Sequence, residues 1–111
     1  MNCALIVVDV QNYFINVHTK GLPERIQRFI VKNRDTFDYI LFTKFVNMRN
    51  SNFIKMLKWY KCFKSPEIDI HDSLLEFTHK DNVFVKHGFS AFKSQHFVRF
   101  LKRNKIKEDV I

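Results

Sequence analysis

Glycine and proline are scarce, two of each in 111 residues. That excludes a flexible linker, a proline-rich spacer or a low-complexity tail. Cysteine is equally rare. Cys3 and Cys62 alone build neither a disulfide framework nor a zinc site of the usual spacing, so a reducing cytoplasm is the expected setting. No charged N-terminal stretch precedes a long apolar run, and no secretory signal is expected. The longest fully apolar run, Ala4 to Val8, is far too short to span a bilayer. Acidic residues are outnumbered 11 to 19 by basic ones, which leaves a net charge of +8. Such a charge permits binding to a polyanion. The cations are scattered, however, and the densest stretch, Lys102, Arg103, Lys105 and Lys107, reads as a helix end, where cations complement the helix dipole. No glycine-rich phosphate loop, zinc finger or RNP motif accompanies them. Neither nucleic acid nor a membrane is therefore an expected partner.

What remains is an ordinary globular balance, 46% hydrophobic and 27% charged, enough for one domain and too short for two. Thirteen phenylalanines are many, and they read as compositional bias before any special aromatic role. Ala4-Leu5-Ile6-Val7-Val8 is a continuous, largely β-branched run that suits a strand buried on both faces. Gly21-Leu22-Pro23-Glu24 starts a helix, with Ile26, Phe29, Ile30 and Val31 as its apolar stripe. Asp38 to Thr43 reads as a second strand and Phe53 to Trp59 as a weak helix. Ser65-Pro66-Glu67 opens a segment containing Leu74, Leu75 and Phe77. Val83-Phe84-Val85 reads as a third strand. Lys93 to Asn104 reads as an amphipathic helix with Phe97, Phe100 and Leu101 on one face. Val110-Ile111 looks like a fourth strand beginning. Strands alternating with helices predict an α/β domain with a mainly parallel sheet.

Open parallel sheets gather functional groups beyond the carboxyl ends of their strands. Asp9 follows the first strand and Lys86 the third. Taken singly, each is a turn carboxylate or a solvated strand-end lysine. Together with their flanks they carry more. Ala4 to Phe14 is an apolar strand, then Asp9-x-Gln11, then Phe14. Val83 to Phe92 is a strand followed by Lys86-x-x-x-Ser90-Ala91-Phe92. Both segments, in this order and strand context, resemble the hallmarks of isochorismatase-like cysteine hydrolases, and Ile106 to Ile111 resembles the family's lead into its fourth strand.

The resemblance implies a three-layer α/β/α, Rossmann-like parallel sheet of strand order 3-2-1-4. Residues 1–111 would form a single domain, C-terminally incomplete and truncated at the start of the fourth strand. It implies an Asp-Lys-Cys triad that hydrolyses a small amide, carbamoyl or vinyl-ether substrate, with Asp9 and Lys86 as catalytic residues. Gln11, Phe14 and Phe92 would contribute to the substrate pocket. The family cysteine follows the fourth strand and is absent from these residues. Cys62 lies in a segment used for packing or for the pocket rim, and Cys3 is at the wrong end of its strand. Nicotinamidase-like members carry Thr-x-Asp-x-His after the second strand, and its Asp and His help bind a metal. Here the run is Thr43-Lys44-Phe45-Val46-Asn47, so neither metal nor another cofactor is expected. The histidines at 18, 71, 79, 87 and 96 form no ligand pair on one helical face. Trp59 is a candidate for the apolar pocket or the core, with core the favoured reading. Similar proteins form dimers or tetramers, so the expected partners are a small-molecule substrate and further copies of the chain. Two other readings stand beside the hydrolase. One is an inactive, truncated chain that associates through its open first strand. The other is a basic nucleic-acid-binding module.

Overall fold

The computed structural model describes residues 3–88, 93–106 and 108–110, without the side chains of the last three. Strand β1 (Cys3–Val8) leads through a short 3-10 turn at Asn12–Phe14 to helix α1 (Leu22–Lys32). Strand β2 (Tyr39–Phe45), helix α2 (Asn52–Leu57) and a 3-10 segment at Asp72–Phe77 follow. Strand β3 (Val83–Lys86), helix α3 (Gln95–Arg103) and strand β4 (Glu108–Val110) complete the order. The sheet is parallel with order β3-β2-β1-β4, as the resemblance implies.

Strand periodicity divides the core between the two faces of the sheet. Leu5, Val7 and Phe42 pack on one face with Ile30 of α1 and Leu74 of the 3-10 segment. Ala4, Ile6, Leu41 and Phe84 pack on the other with Phe97 of α3. The sheet is thus covered on both faces, which is why β1 reads as an unbroken apolar run. α1 begins where Leu22-Pro23-Glu24 predicts, since proline costs nothing in a helical first turn, where its missing N–H has no partner to lose. Its stripe is narrower than expected. Ile30 is fully buried, whereas Phe29 and Val31 stand 43% and 59% exposed. Among the described residues no helix is long and apolar enough to cross a membrane.

The register positions the site. Val8 lies beside Thr43 and Phe45 beside Lys86. The carboxyl ends of β1, β2 and β3 therefore form one rim, with β2 in the middle.

Candidate active site

Asp9 turns out of β1 with φ 53°, a left-handed conformation that costs an L residue roughly 1–2 kcal/mol. The cost is met by neighbours. The Asp9 N–H lies 3.2 Å from both the carbonyl and the hydroxyl oxygen of Thr43, and the Asp9 carbonyl accepts from the Gln11 N–H at 2.9 Å. The Thr43 hydroxyl in turn donates to Asp9 Oδ1 at 2.8 Å. A hydroxyl has one proton, so accepting from the Asp9 N–H while donating to Oδ1 commits Thr43 as a donor to a charged carboxylate. The other oxygen, Oδ2, meets Lys86 Nζ at 2.9 Å. Lys86 is the last residue of β3 and reaches across the end of β2 to do so. Its side chain is only 4% exposed against 22% for Asp9. A lysine that deep needs a counter-charge, because an unpaired buried ammonium is strongly disfavoured.

Asp9 lies on the wall of a cleft of about 450 Å3 together with Phe14, Phe45, Phe53, Leu57, Trp59 and Gly88. The rings brace one another. Phe45 and Phe53 stand edge to face at 5.4 Å, Phe53 and Trp59 at 5.8 Å. Trp59 Nε1 donates to the Tyr13 hydroxyl at 3.2 Å. A larger hollow of about 660 Å3 lies among Arg34, Tyr39, Glu76 and Asn82. It sits at the amino end of β2, away from the strand termini that carry the Asp9–Lys86 pair, so the smaller cleft is the candidate site.

Of the pocket residues expected from sequence, Phe14 lies on the cleft wall and Phe92 falls outside the described residues. Gln11 is a correction. It is fully buried and absent from the wall. Its amide nitrogen donates to the carbonyls of Phe45 and Ile68, both at 2.8 Å, and its oxygen accepts from the Phe45 N–H at 2.7 Å. Gln11 therefore clamps the backbone beneath the site, with both ends of its amide engaged. Trp59 is the converse correction: expected in the core, it forms cleft wall. Thr43 and Phe53 belong to the site and were not singled out. Thr43 was legible only as the end of the second strand, its place beside Val8 being set by the β1–β2 register, and Phe53 lay in a segment with weak periodicity.

Neither cysteine is placed to react in the cleft. Cys3 sits at the opposite end of β1, its N–H bonded to Asp38 Oδ2 at 2.9 Å. Cys62 is fully buried. Burial above all, and then the negative charges of Glu67 and Asp9, push its thiol up to about 11. A nucleophilic cysteine needs the opposite shift, toward thiolate at neutral pH. The metal positions of nicotinamidase-like members also fail a fit test. Phe45 offers no donor atom. Asn47 is 3% exposed, and its amide oxygen and nitrogen are bound to protein partners. Among the described residues no group of three or more His, Cys, Asp or Glu is placed to hold a metal ion.

Comparison with known proteins bears on the fold and the family. A family model described as the isochorismatase domain matches residues 3–111. Among solved structures, N-carbamoylsarcosine amidase from Thermoplasma acidophilum superposes with a TM-score of 0.77 at 18% identity, over 98% of this chain and 65% of that one. Nicotinamidase/pyrazinamidase from Bacillus subtilis gives 0.73 at 18% identity, over 98% and 69%. Pyrazinamidase of Pyrococcus horikoshii, solved in complex with zinc, gives 0.67 at 16% identity, over 98% and 68%. The chain thus spans about two-thirds of the length of these solved proteins. No curated protein matches it. With the family model covering nearly every residue and the strand order and strand-end pair in place, the chain belongs to the isochorismatase-like hydrolase family.

Proposed function

We propose that Asp9 and Lys86 are the acid–base and cationic parts of a hydrolytic site for a small amide, carbamoyl or vinyl-ether compound, completed by a thiol from the segment that follows β4. The observation that carries this reading is the 2.9 Å contact between Lys86 Nζ and Asp9 Oδ2 at the cleft. β4 supports it, because it runs parallel beside β1 with Val110 opposite Leu5. A chain leaving β4 therefore leaves at the Asp9 end of the sheet.

For an amide or carbamoyl substrate, Asp9 takes the thiol proton and the thiolate attacks the carbonyl carbon. Lys86 stays protonated and stabilises the negative sulfur. The C–N bond breaks to leave a thioester, and the leaving nitrogen takes the proton from Asp9. Water then hydrolyses the thioester, with Asp9 again accepting a proton. For a vinyl ether, Asp9 alone supplies the acid. The protein purified from its native cells and quenched in acid during amide turnover is expected to carry its acyl group on a cysteine beyond β4, read by peptide mass mapping. An acyl group on Cys62 or Cys3 would contradict the proposal.

A second reading, association, has one observation in its favour. A groove of about 320 Å3 runs beside β1 and α1, lined by apolar residues including Ile6, Val8, Leu22 and Phe29. Val8, Leu22 and Phe29 are each about two-fifths exposed. Sedimentation velocity of the 111-residue chain tests it: self-association that Leu22→Ser abolishes is expected, and a monomer at every concentration rules it out.

A further inference from the structure

The residues at the end of β2 do more than fail to bind a metal. Asn47 N–H donates to the Cys62 carbonyl at 2.7 Å. Asn47 Nδ2 donates to the carbonyls of Trp59 at 3.3 Å and Lys61 at 3.0 Å. Asn47 Oδ1 accepts from the Met48 N–H at 2.9 Å and the Ser51 hydroxyl at 2.6 Å. Two donors and two acceptor positions are the whole capacity of a side-chain amide, and all four are filled. The amide's orientation is not ambiguous, because Nδ2 faces two carbonyls and Oδ1 faces a backbone N–H.

Two of these partners lead to the cleft. Trp59 lies on its wall. Ser51 caps α2 by accepting from the Ile54 N–H, and α2 carries Phe53 and Leu57, two further wall residues. A six-residue helix is far too short to hold itself together in water, and the segment from 58 to 64 contains no helix or strand. Both need an anchor, and Asn47, buried at the end of β2, touches both.

We infer that Asn47 is the positioning residue that builds the aromatic side of this cleft, a hydrogen-bonded anchor standing where nicotinamidase-like members place a metal ligand, so that the cleft keeps its shape without a cation. The inference does not rest on the hydrolytic reading, since none of its readouts is turnover. Trp59 is the sole tryptophan in the sequence and reports directly on the anchored segment.

The test uses the 111-residue chain. Asn47→Asp keeps the size of the side chain and its two acceptor contacts but removes both Nδ2 donors. It is expected to shift Trp59 emission to the red and to speed amide exchange over residues 59–62 by about tenfold or more, with far-UV circular dichroism retained. Ser51→Ala removes one acceptor-side contact together with the α2 cap that this contact holds in place, and is expected to give a smaller shift of the same sign. It carries the test if Asn47→Asp fails to fold. In the unmodified chain, neither EDTA nor equimolar Zn2+ is expected to move the emission or the melting temperature. Three results would each overturn the inference: unchanged emission in a folded Asn47→Asp, unchanged emission in Ser51→Ala where that variant carries the test, or an EDTA-induced shift in the unmodified chain.

Discussion

At the scale of single residues, burial decides what each half of the Asp9–Lys86 pair is worth. Lys86 is the deeper partner. Neutralising Asp9 takes the opposing charge from a buried ammonium, and breaking a buried ion pair in this way costs on the order of 3–5 kcal/mol. Neutralising Lys86 leaves a carboxylate that still holds the Thr43 hydroxyl and reaches solvent. Urea unfolding is therefore expected to show Asp9→Asn as clearly more destabilising than Lys86→Met, with the double variant recovering part of the loss. Equal costs would mean that the pair is not buried asymmetrically. Thr43→Val removes a fully used hydroxyl and is expected to cost about 1–3 kcal/mol, whereas Thr43→Ser keeps the bonds and most of the stability.

Cys62 yields a pH prediction with a definite sign. Its proton is held more tightly in the folded chain, about 11 against an ordinary 9.0. Its contribution to stability is thus intact below about pH 9 and is lost as the pH rises toward about 11. The stability gap between the unmodified chain and Cys62→Ala should narrow between about pH 9 and about pH 11 in denaturant titrations. In the native protein at neutral pH, a thiol reagent should label Cys3 well before Cys62. The places of Asp9 and Lys86 at strand ends were legible in the sequence because strand ends and short motifs are local. Gln11 was misread as pocket and Trp59 as core because side-chain direction past a strand end depends on a neighbour far along the chain. Gln11 is turned inward by Phe45, 34 residues away.

At the scale of elements, periodic segments were read correctly. α3 was expected over Lys93 to Asn104 and runs from Gln95 to Arg103, its Phe97 fully buried. Between β2 and β3 only the weak helix expected over Phe53 to Trp59 was legible, and it forms as α2. α2 stops where Lys58 takes a left-handed conformation, and the rest is a 3-10 segment and irregular loops held by backbone and side-chain bonds with no repeating period. Leu74 and Leu75 show the consequence. They are adjacent in a 3-10 segment, yet Leu74 is fully buried and Leu75 is 49% exposed. Leu74→Ala is expected to cost about 2–5 kcal/mol and Leu75→Ala less than about 0.5 kcal/mol, by thermal or chemical unfolding. Comparable costs would contradict the packing of this segment against β1 and α1.

At the scale of the whole molecule, alternation of strand and helix made the parallel α/β sheet legible, whereas its strand order came only with the family resemblance. The abundance of phenylalanine acquires two meanings that composition could not separate. Phe42 and Phe97 fill the core, while Phe14, Phe45 and Phe53 line the cleft. The three strand ends bring together what the sequence holds 77 residues apart, Asp9 and Lys86. Whether that pair is the working part of the cleft is tested most directly by kcat/KM. The measurement takes the protein from its native cells on small amide, carbamoyl and vinyl-ether compounds, comparing it with Asp9→Asn and Cys62→Ala. Asp9→Asn should lose about 10²-fold to 10⁴-fold with Cys62→Ala unchanged, whereas full turnover in a folded Asp9→Asn would contradict the account.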